Sequence, residues 1–139
     1  MRVIAVINYK GGTGKTCLTV NLGHGLALAG KKVLIIDTDP QGSVFSHLGL
    51  SNSSTLYDVL MGTETWSDCV VNARENLDVI GSNHRLYTAE MKMAKHKSKE
   101  FYLSNRLTSL SGYDYVLLDC APTINLINQN VLLFTNEIM

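Results

Sequence analysis

A glycine-rich segment between an apolar run and a helical pattern constrains the fold of this chain more than any other feature. Residues 2–7 read RVIAVI, a β-branched run typical of a strand that a parallel sheet buries on both faces. Residues 11–16 read GGTGKT, and from Lys15 onward leucines recur at helical spacing. A strand, a tight glycine turn and a helix in this order direct backbone N–H groups at one point, beside the positive end of the helix dipole. The segment therefore predicts an anion site at the first strand–helix junction of an α/β fold.

Apolar runs and helical patterns continue to alternate along the rest of the chain. Buried strands are predicted at 32–37, 77–82 and 115–119. Helices are predicted over 15–29, 42–49, 55–62, 125–134 and a basic stretch whose buried stripe comprises Leu103, Leu107 and Leu110. Strands that alternate with helices in this way indicate a doubly wound, mainly parallel sheet with helices on both faces.

Two glycines, Gly23 and Gly25, fall inside the first predicted helix. Each is expected to cost roughly 1 kcal/mol of helix stability against alanine. We expect this cost to be tolerated because the helix presses closely on the sheet, where a larger residue would not fit.

Length and composition restrict the class of protein. At 139 residues the chain is long enough for one domain with a real core and too short for two of ordinary size. Its net charge of zero gives no overall attraction to nucleic acid or to a membrane surface. No apolar run approaches the ~20 residues that a membrane helix needs. Three cysteines without a Cys-x-x-Cys pair and four scattered histidines favour a reducing cytoplasm over a disulfide framework or a local metal motif.

Acidic residues follow two of the predicted strands. Asp37 and Asp39 are followed by Pro40, and Asp119 is followed closely by Pro122. Ligands of open α/β sheets bind at the carboxyl ends of the strands. We therefore expect the glycine segment and these three carboxylates to converge on one crevice, although they are far apart in the sequence.

The residue types in this crevice suit a nucleoside triphosphate with Mg²⁺. Lys15 can reach the β- and γ-phosphate oxygens, and the hydroxyl of Thr16 suits Mg²⁺. Asp119, at the end of an apolar strand, can hold the metal directly or through water. Asp37 and Asp39 alternate along their strand end, so one can face the metal while the other orients an attacking water.

The first half of the glycine segment departs from the common phosphate-loop pattern, Gly-x-x-x-x-Gly-Lys-Ser/Thr. Tyr9 stands where the pattern requires glycine, and a second lysine, Lys10, follows it. With this feature, the segments KGGTGKT, DTDPQGS and YVLLDCAP resemble the deviant Walker A, switch I and Walker B/switch II segments of ParA-type partition ATPases. The resemblance extends over the whole chain, including TLYDVLMG and EFYLSNRL. It implies a P-loop NTPase domain of the deviant Walker class over residues 1–139.

The resemblance also implies a role for individual residues. Lys10 would reach across an ATP-dependent homodimer to the phosphates of the partner, Asp39 would serve hydrolysis, and Asp37, Asp119 and Thr16 would serve Mg²⁺. The nucleotide-binding set would be Gly11, Gly12, Thr13, Gly14, Lys15, Thr16 and Cys17. Three residues depart from the family pattern: Tyr9 replaces a common glutamine, Cys17 a threonine or serine, and Ala121 the first proline of a Pro-Pro pair, which is expected to loosen switch II.

The function implied is an ATP-binding and slowly ATP-hydrolysing dimerisation switch for plasmid or chromosome partitioning. Its implied partners are a centromere-binding protein and, for the full-length protein, nonspecific DNA, in a cytoplasmic, nucleoid-associated location without a membrane. Residues 84–106 carry six basic and two acidic side chains, which suits either DNA phosphates or a solvated helical face. Three alternatives are a MinD-like membrane-associated positioning ATPase, a relative of nitrogenase iron protein, and a fragment with weak or no hydrolysis.

The end of the chain carries a separate expectation. In the resembled family a fifth strand begins near TNEIM, residues 135–139, so we expect the chain to be an N-terminal piece of a longer protein, incomplete at its C-terminus. The first strand would then form an open sheet edge with unpaired backbone groups. Such a piece is expected to self-associate or to be poorly soluble, and to hydrolyse ATP slowly if at all.

Overall fold

Six strands form one sheet in the computed structural model, which describes residues 1–139. They are β1 (Arg2–Val6), β2 (Val33–Asp37), β3 (Val70–Arg74), β4 (Leu77–Ile80), β5 (Tyr115–Asp119) and β6 (Glu137–Ile138). Their order across the sheet is β3-β4-β2-β5-β1-β6. All neighbouring strands are parallel except β3 and β4, which form an antiparallel hairpin. The predicted doubly wound, mainly parallel sheet is confirmed.

Six α-helices cover the two faces of the sheet. They are α1 (Lys15–Leu28), α2 (Ser43–Leu48), α3 (Leu56–Met61), α4 (Leu86–Met93), α5 (Tyr102–Arg106) and α6 (Leu126–Phe134). Strand β2 is buried on both sides: Ile35 packs in a core with residues of α1 and α2, whereas Leu34 and Ile36 pack in a core with residues of α3 to α6. This alternation is the period of two expected of a strand. None of these helices has the length and apolar character needed to cross a bilayer.

The hairpin strand β3 was not predicted, and the strand that the chain was expected to lack is present as the short strand β6. Strand β3 is largely accessible to solvent, so it lacks the continuous apolar run that marks the central strands. The predicted basic helix is also shorter than expected. Leu107 and Leu110 are buried as predicted, but α5 ends at Arg106, so they pack from a turn.

The expectation that β1 forms an open sheet edge is wrong, because β6 pairs with it. The main-chain N–H of Asn136 donates to the carbonyl of Val3 at 2.9 Å, and that of Met139 donates to the carbonyl of Ala5 at 2.8 Å. The N–H of Ile7 in turn donates to the carbonyl of Met139 at 3.0 Å. The predicted route to self-association, an unpaired β1, is therefore closed by residues 136–139, and the outer strand on this side is β6.

The two glycines of α1 have different surroundings, although the sequence treats them alike. A Cβ atom built on Gly23 would lie 2.8 Å from Cδ1 of Ile35 in β2, whereas a Cβ on Gly25 would meet nothing within 4 Å. Gly23 is buried and Gly25 is exposed. Close packing against the sheet therefore accounts for Gly23 only.

We predict that Gly25→Ala raises the free energy of unfolding by up to about 1 kcal/mol, because it removes the backbone entropy cost of glycine and creates no contact. Gly23→Ala should give no such gain, because the gain in helix propensity is offset by overpacking against Ile35. Chemical denaturation of both variants measures the difference. Equal gains in the two variants would contradict the close approach of α1 to β2.

Candidate functional site

The register of the central strands brings the predicted acidic residues together. Val6 of β1 lies beside Asp119 of β5, and Asp119 lies beside Asp37 of β2. The side chains of Asp37 and Asp119 are in phase with Ile35 and Leu117, which face α1 and α2. Both carboxylates therefore point to the face of the sheet on which the glycine segment leads into α1, as the predicted crevice requires.

Residues 11–14 of the glycine segment form an exposed turn with two positions that favour glycine. Gly12 and Gly14 have φ values of 69° and 85°, in the left-handed region. Gly14 is the N-cap of α1, and no side chain caps the first N–H groups of this helix. These N–H groups are therefore free to bind an anion beside the positive end of the helix.

Two threonines of α1 hold the carboxylate of Asp119. The hydroxyl of Thr16 donates to Oδ2 at 2.6 Å, and the hydroxyl of Thr19 donates to Oδ1 at 2.9 Å. The main-chain carbonyl of Asp119 accepts the hydroxyl of Thr38 at 2.8 Å. Burial raises the pKa of Asp119, and the hydrogen bonds from Thr16 and Thr19 act in the opposite direction. Thr16 and Asp119 thus lie in direct contact and present two neighbouring oxygen atoms that could hold a metal.

Asp37 is fully buried and anchors the segment that leads into α2. Its Oδ1 accepts the N–H of Asp39 at 3.0 Å, and its Oδ2 accepts the N–H of Val44 at 3.1 Å. Burial raises the pKa of Asp37 to about 7; the two N–H groups partly counter this effect, and the negative charges of Asp119 and Asp39 add to it. In the metal-free protein this carboxyl therefore changes charge near neutral pH.

Asp39 lies at the rim of a cavity of about 240 Å³ above the glycine segment. Its Oδ1 accepts the N–H of Gln41 at 2.9 Å, and its carbonyl accepts the hydroxyl of Ser82. The residues that line the cavity are Gly12, Thr13, Gly14, Lys15, Thr16, Cys17, Asp39, His47 and Pro122. Six of the seven predicted nucleotide-binding residues thus share one cavity with Asp39; Gly11 is the neighbour of this set in the chain.

Lys10 occupies a different position from Lys15. It is exposed, its N–H donates to Oδ1 of Asn8 at 2.9 Å, and its carbonyl accepts the hydroxyl of Thr13 at 3.2 Å. Lys15 is half-buried and lines the cavity, whereas Lys10 is not among the lining residues. Of the two lysines of the loop, Lys15 therefore lies at the cavity and Lys10 lies outside it.

Two residues of the site were not predicted. His47 lines the cavity, and its Nδ1 donates to the carbonyl of Ser43 at 2.8 Å, which leaves Nε2 as the free ring nitrogen. Thr19 contacts Asp119 from one helical turn beyond Thr16. Helical spacing from Thr16 was the available signal for Thr19, whereas the contact of His47 depends on how α2 packs.

The loop after β5 is held by α6 despite the departure at Ala121. Nδ2 of Asn128 donates to the carbonyl of Ala121 at 2.8 Å and to that of Thr123 at 2.7 Å. Ala121 itself is buried. The looser loop expected from the missing proline is therefore countered by this asparagine.

Not all six basic side chains of residues 84–106 are free of contacts within the protein. Arg85 forms an ion pair with Asp58 at 3.2 Å and lies over the ring of Tyr57 at 3.9 Å. Arg106 lies over the ring of Tyr102 at 5.4 Å. The remaining basic side chains are exposed: Lys92, Lys95, Lys97 and Lys99. The accessible positive surface of this stretch therefore comprises these four lysines and Arg106, which is also exposed.

Comparisons with known proteins place these features in a family. A family model described as an AAA domain matches residues 1–139. The chromosome partitioning protein ParA of Caulobacter vibrioides is 38% identical over 139 residues, which cover 95% of this chain and 52% of that protein. The sporulation initiation inhibitor protein Soj of Bacillus subtilis is 37% identical over 143 residues, which cover 99% of this chain and 56% of that protein. The chain spans about half the length of these relatives.

A solved structure shares the fold and carries ligands. It is a cobyrinic acid a,c-diamide synthase from Mycobacterium smegmatis with a bound ATP analog and magnesium. The TM-score is 0.94 at 31% sequence identity, and the match covers 99% of this chain and 58% of that one. The likeness confirms the predicted P-loop NTPase fold.

We predict that Asp37→Asn changes the pH dependence of stability in the metal-free protein. Because burial raises the pKa of Asp37 to about 7, this carboxyl is neutral at pH 5 and charged at pH 8.5 in the folded protein. The buried charge is unfavourable, so the free energy of unfolding falls as the pH rises through about 7. The melting temperature of the variant, measured in EDTA, should therefore improve relative to the unmodified protein between these two pH values. The change corresponds to a few kcal/mol at most, since one pKa unit is about 1.4 kcal/mol.

The matched control is Glu75→Gln, an exposed carboxylate in the turn between β3 and β4. Its difference from the unmodified protein should stay constant over the same pH range. A constant difference for Asp37→Asn as well would contradict the burial of a charge at this position.

Proposed function

The chain belongs to the AAA domain family, and on that premise we propose that it binds Mg·ATP and forms the nucleotide-dependent switch of a partition system. The resemblance to ParA-type ATPases that the three motifs indicated is confirmed by the ParA and Soj relatives. The observation that carries the proposal is the contact of the Thr16 hydroxyl with the Asp119 carboxylate beneath an uncapped helix N-terminus. This contact supports the proposal because it brings two oxygens suited to a metal next to a turn suited to phosphate.

The residues present suit both groups. Hydroxyl and carboxylate oxygens are the ligands that Mg²⁺ prefers in proteins. The segment Gly11–Cys17 offers its backbone N–H groups to the phosphates, and Lys15 adds a cation inside the same cavity. When bound, Mg²⁺ neutralises the charge of the β- and γ-phosphate oxygens. Asp37, one strand away from Asp119, completes the acidic environment of the metal.

Asp39 is the residue that we assign to hydrolysis. It lines the phosphate cavity, and one carboxylate oxygen is held by the N–H of Gln41. A carboxylate fixed in this way can accept a hydrogen bond from a water molecule. The hydrogen bond would orient the water so that the lone pair of the water oxygen points at the γ-phosphate. Since phosphoryl transfer depends mainly on positioning and charge neutralisation, this orientation is the contribution expected of Asp39.

Lys10 is the residue that we assign to dimerisation. Its exposed position at the outer side of the loop suits contact with the nucleotide of a second copy rather than with its own. A cation supplied in trans contributes roughly 10³–10⁵ in rate where arginine fingers have been studied. The switch we propose is therefore an ATP-dependent homodimer in which each copy completes the site of the other.

The partners of the switch follow from the same proposal. Exposed lysines between 92 and 99 suit nonspecific contact with DNA phosphates, which is electrostatic and independent of base sequence. A centromere-binding protein would stimulate hydrolysis, in keeping with the name of the Caulobacter relative, a chromosome partitioning protein. The location that fits these partners is the cytoplasm, at the nucleoid.

We predict that the two loop lysines have separable effects. Lys15→Ala should abolish ATP binding because it removes the cation inside the cavity. Lys10→Ala should bind ATP like the unmodified protein but lose ATP-dependent dimerisation and hydrolysis. Titration of a fluorescent ATP analogue, sedimentation with Mg·ATP and phosphate release measure the three properties.

The control for this pair is Lys31→Ala, which removes an exposed lysine just beyond the other end of α1. It should leave binding, dimerisation and hydrolysis unchanged. If Lys10→Ala and Lys15→Ala proved equally unable to bind ATP, the role of Lys10 in trans would be wrong.

A further inference from the structure

One helix holds both oxygens of the Asp119 carboxylate. Thr16 and Thr19 are three residues apart and share a face of α1, and each donates its hydroxyl to a different oxygen, at 2.6 Å and 2.9 Å. We propose that Thr19 is a positioning residue for the Mg²⁺ site, which fixes the rotation of the Asp119 carboxylate so that Oδ2 stays against Thr16. This inference rests on the proposed function, since it assigns a role within the same metal site.

A purely local role for Thr19 accounts for less of the geometry. Threonines inside helices often donate to the carbonyl four residues earlier, and Thr19 lies 2.9 Å from the carbonyl of Lys15. That carbonyl is already paired with a main-chain N–H by the geometry of the α-helix. The carboxylate is at the same distance and carries charge, and hydrogen bonds to charged acceptors are the stronger ones. The hydrogen bond from the Thr19 hydroxyl to Asp119 is therefore the stronger of the two.

Burial makes the second donor necessary. Asp119 is 1% exposed and Thr19 is fully buried, so water does not reach Oδ1 to replace the hydroxyl. A buried carboxylate oxygen without a donor is unfavourable, and the group would rotate to share Thr16 between its two oxygens. Such a rotation would withdraw Oδ2 from the place where the metal is expected. Partners that orient metal-binding carboxylates typically affect metal affinity about 10–100-fold.

The structure also offers a matched hydroxyl on the same aspartate. Thr38 is fully buried like Thr19, and its hydroxyl donates to Asp119 at 2.8 Å. The acceptor, however, is the main-chain carbonyl, which does not move when the carboxylate rotates. Loss of the Thr38 hydroxyl should therefore reduce stability without changing the metal requirement.

The test measures Mg²⁺ dependence separately from nucleotide binding. A fluorescent ATP analogue is titrated into the purified protein in EDTA and again over a range of Mg²⁺ concentrations. Thr19→Val removes the hydroxyl and keeps the β-branched shape. This variant should bind the analogue normally in EDTA. It should need at least about tenfold more Mg²⁺ than the unmodified protein for the same increase in affinity. Thr19→Ser should restore the normal Mg²⁺ requirement, and Thr38→Val should retain it.

Two results would overturn the inference while leaving the proposed function intact. One is a normal Mg²⁺ requirement in Thr19→Val, and the other is an equal defect in Thr19→Val and Thr19→Ser. If circular dichroism shows that Thr19→Val does not fold, Thr19→Ala takes its place and is judged against Thr19→Ser by the same criterion. An unmodified protein whose binding of the analogue does not respond to Mg²⁺ would overturn the inference and the proposed function together.

Discussion

The register of three neighbouring parallel strands is the constraint on which the site depends. Val6, Asp119 and Asp37 lie side by side at the carboxyl ends of β1, β5 and β2. A shift of one residue in any pair would turn a carboxylate to the opposite face of the sheet. Because α1 begins directly after the glycine turn that follows β1, its first turn comes to lie on Asp119. Strand pairing, as much as the glycine motif, therefore builds the site.

This arrangement places two carboxyl groups in the interior, where charge is unfavourable without partners. Each has its own donors: hydroxyls of α1 for Asp119, and main-chain N–H groups before α2 for Asp37. These hydrogen bonds only partly offset the cost of burying a charge, since burial still raises the pKa of both groups. A bound divalent cation would supply the missing positive charge. In the metal-free protein, the two buried carboxyl groups therefore reduce stability at the place where binding is proposed.

Much of this could be predicted from the sequence because the central strands carry strong signals. Asp37 and Asp119 end continuous apolar runs, and strand ends of a parallel sheet meet at one edge. Strand β3 was missed because most of it is accessible to solvent, and β6 was expected to be missing because it has only two residues, at the end of the chain. The difference between Gly23 and Gly25 depends on the rotation of α1 against the sheet. Sequence periodicity alone does not reveal that rotation.

The central claim is that the glycine turn and the strand-end carboxylates form a single Mg·ATP site. Isothermal titration of the unmodified protein with ATP, in EDTA and in Mg²⁺, tests it most directly. The account predicts one site per chain, with an affinity for ATP that is markedly higher in Mg²⁺ than in EDTA. The reason is that a metal held by the oxygens of Thr16 and Asp119 would also bind the phosphates that the glycine turn holds. ATP affinity that is the same in both conditions, or absent in both, would contradict it.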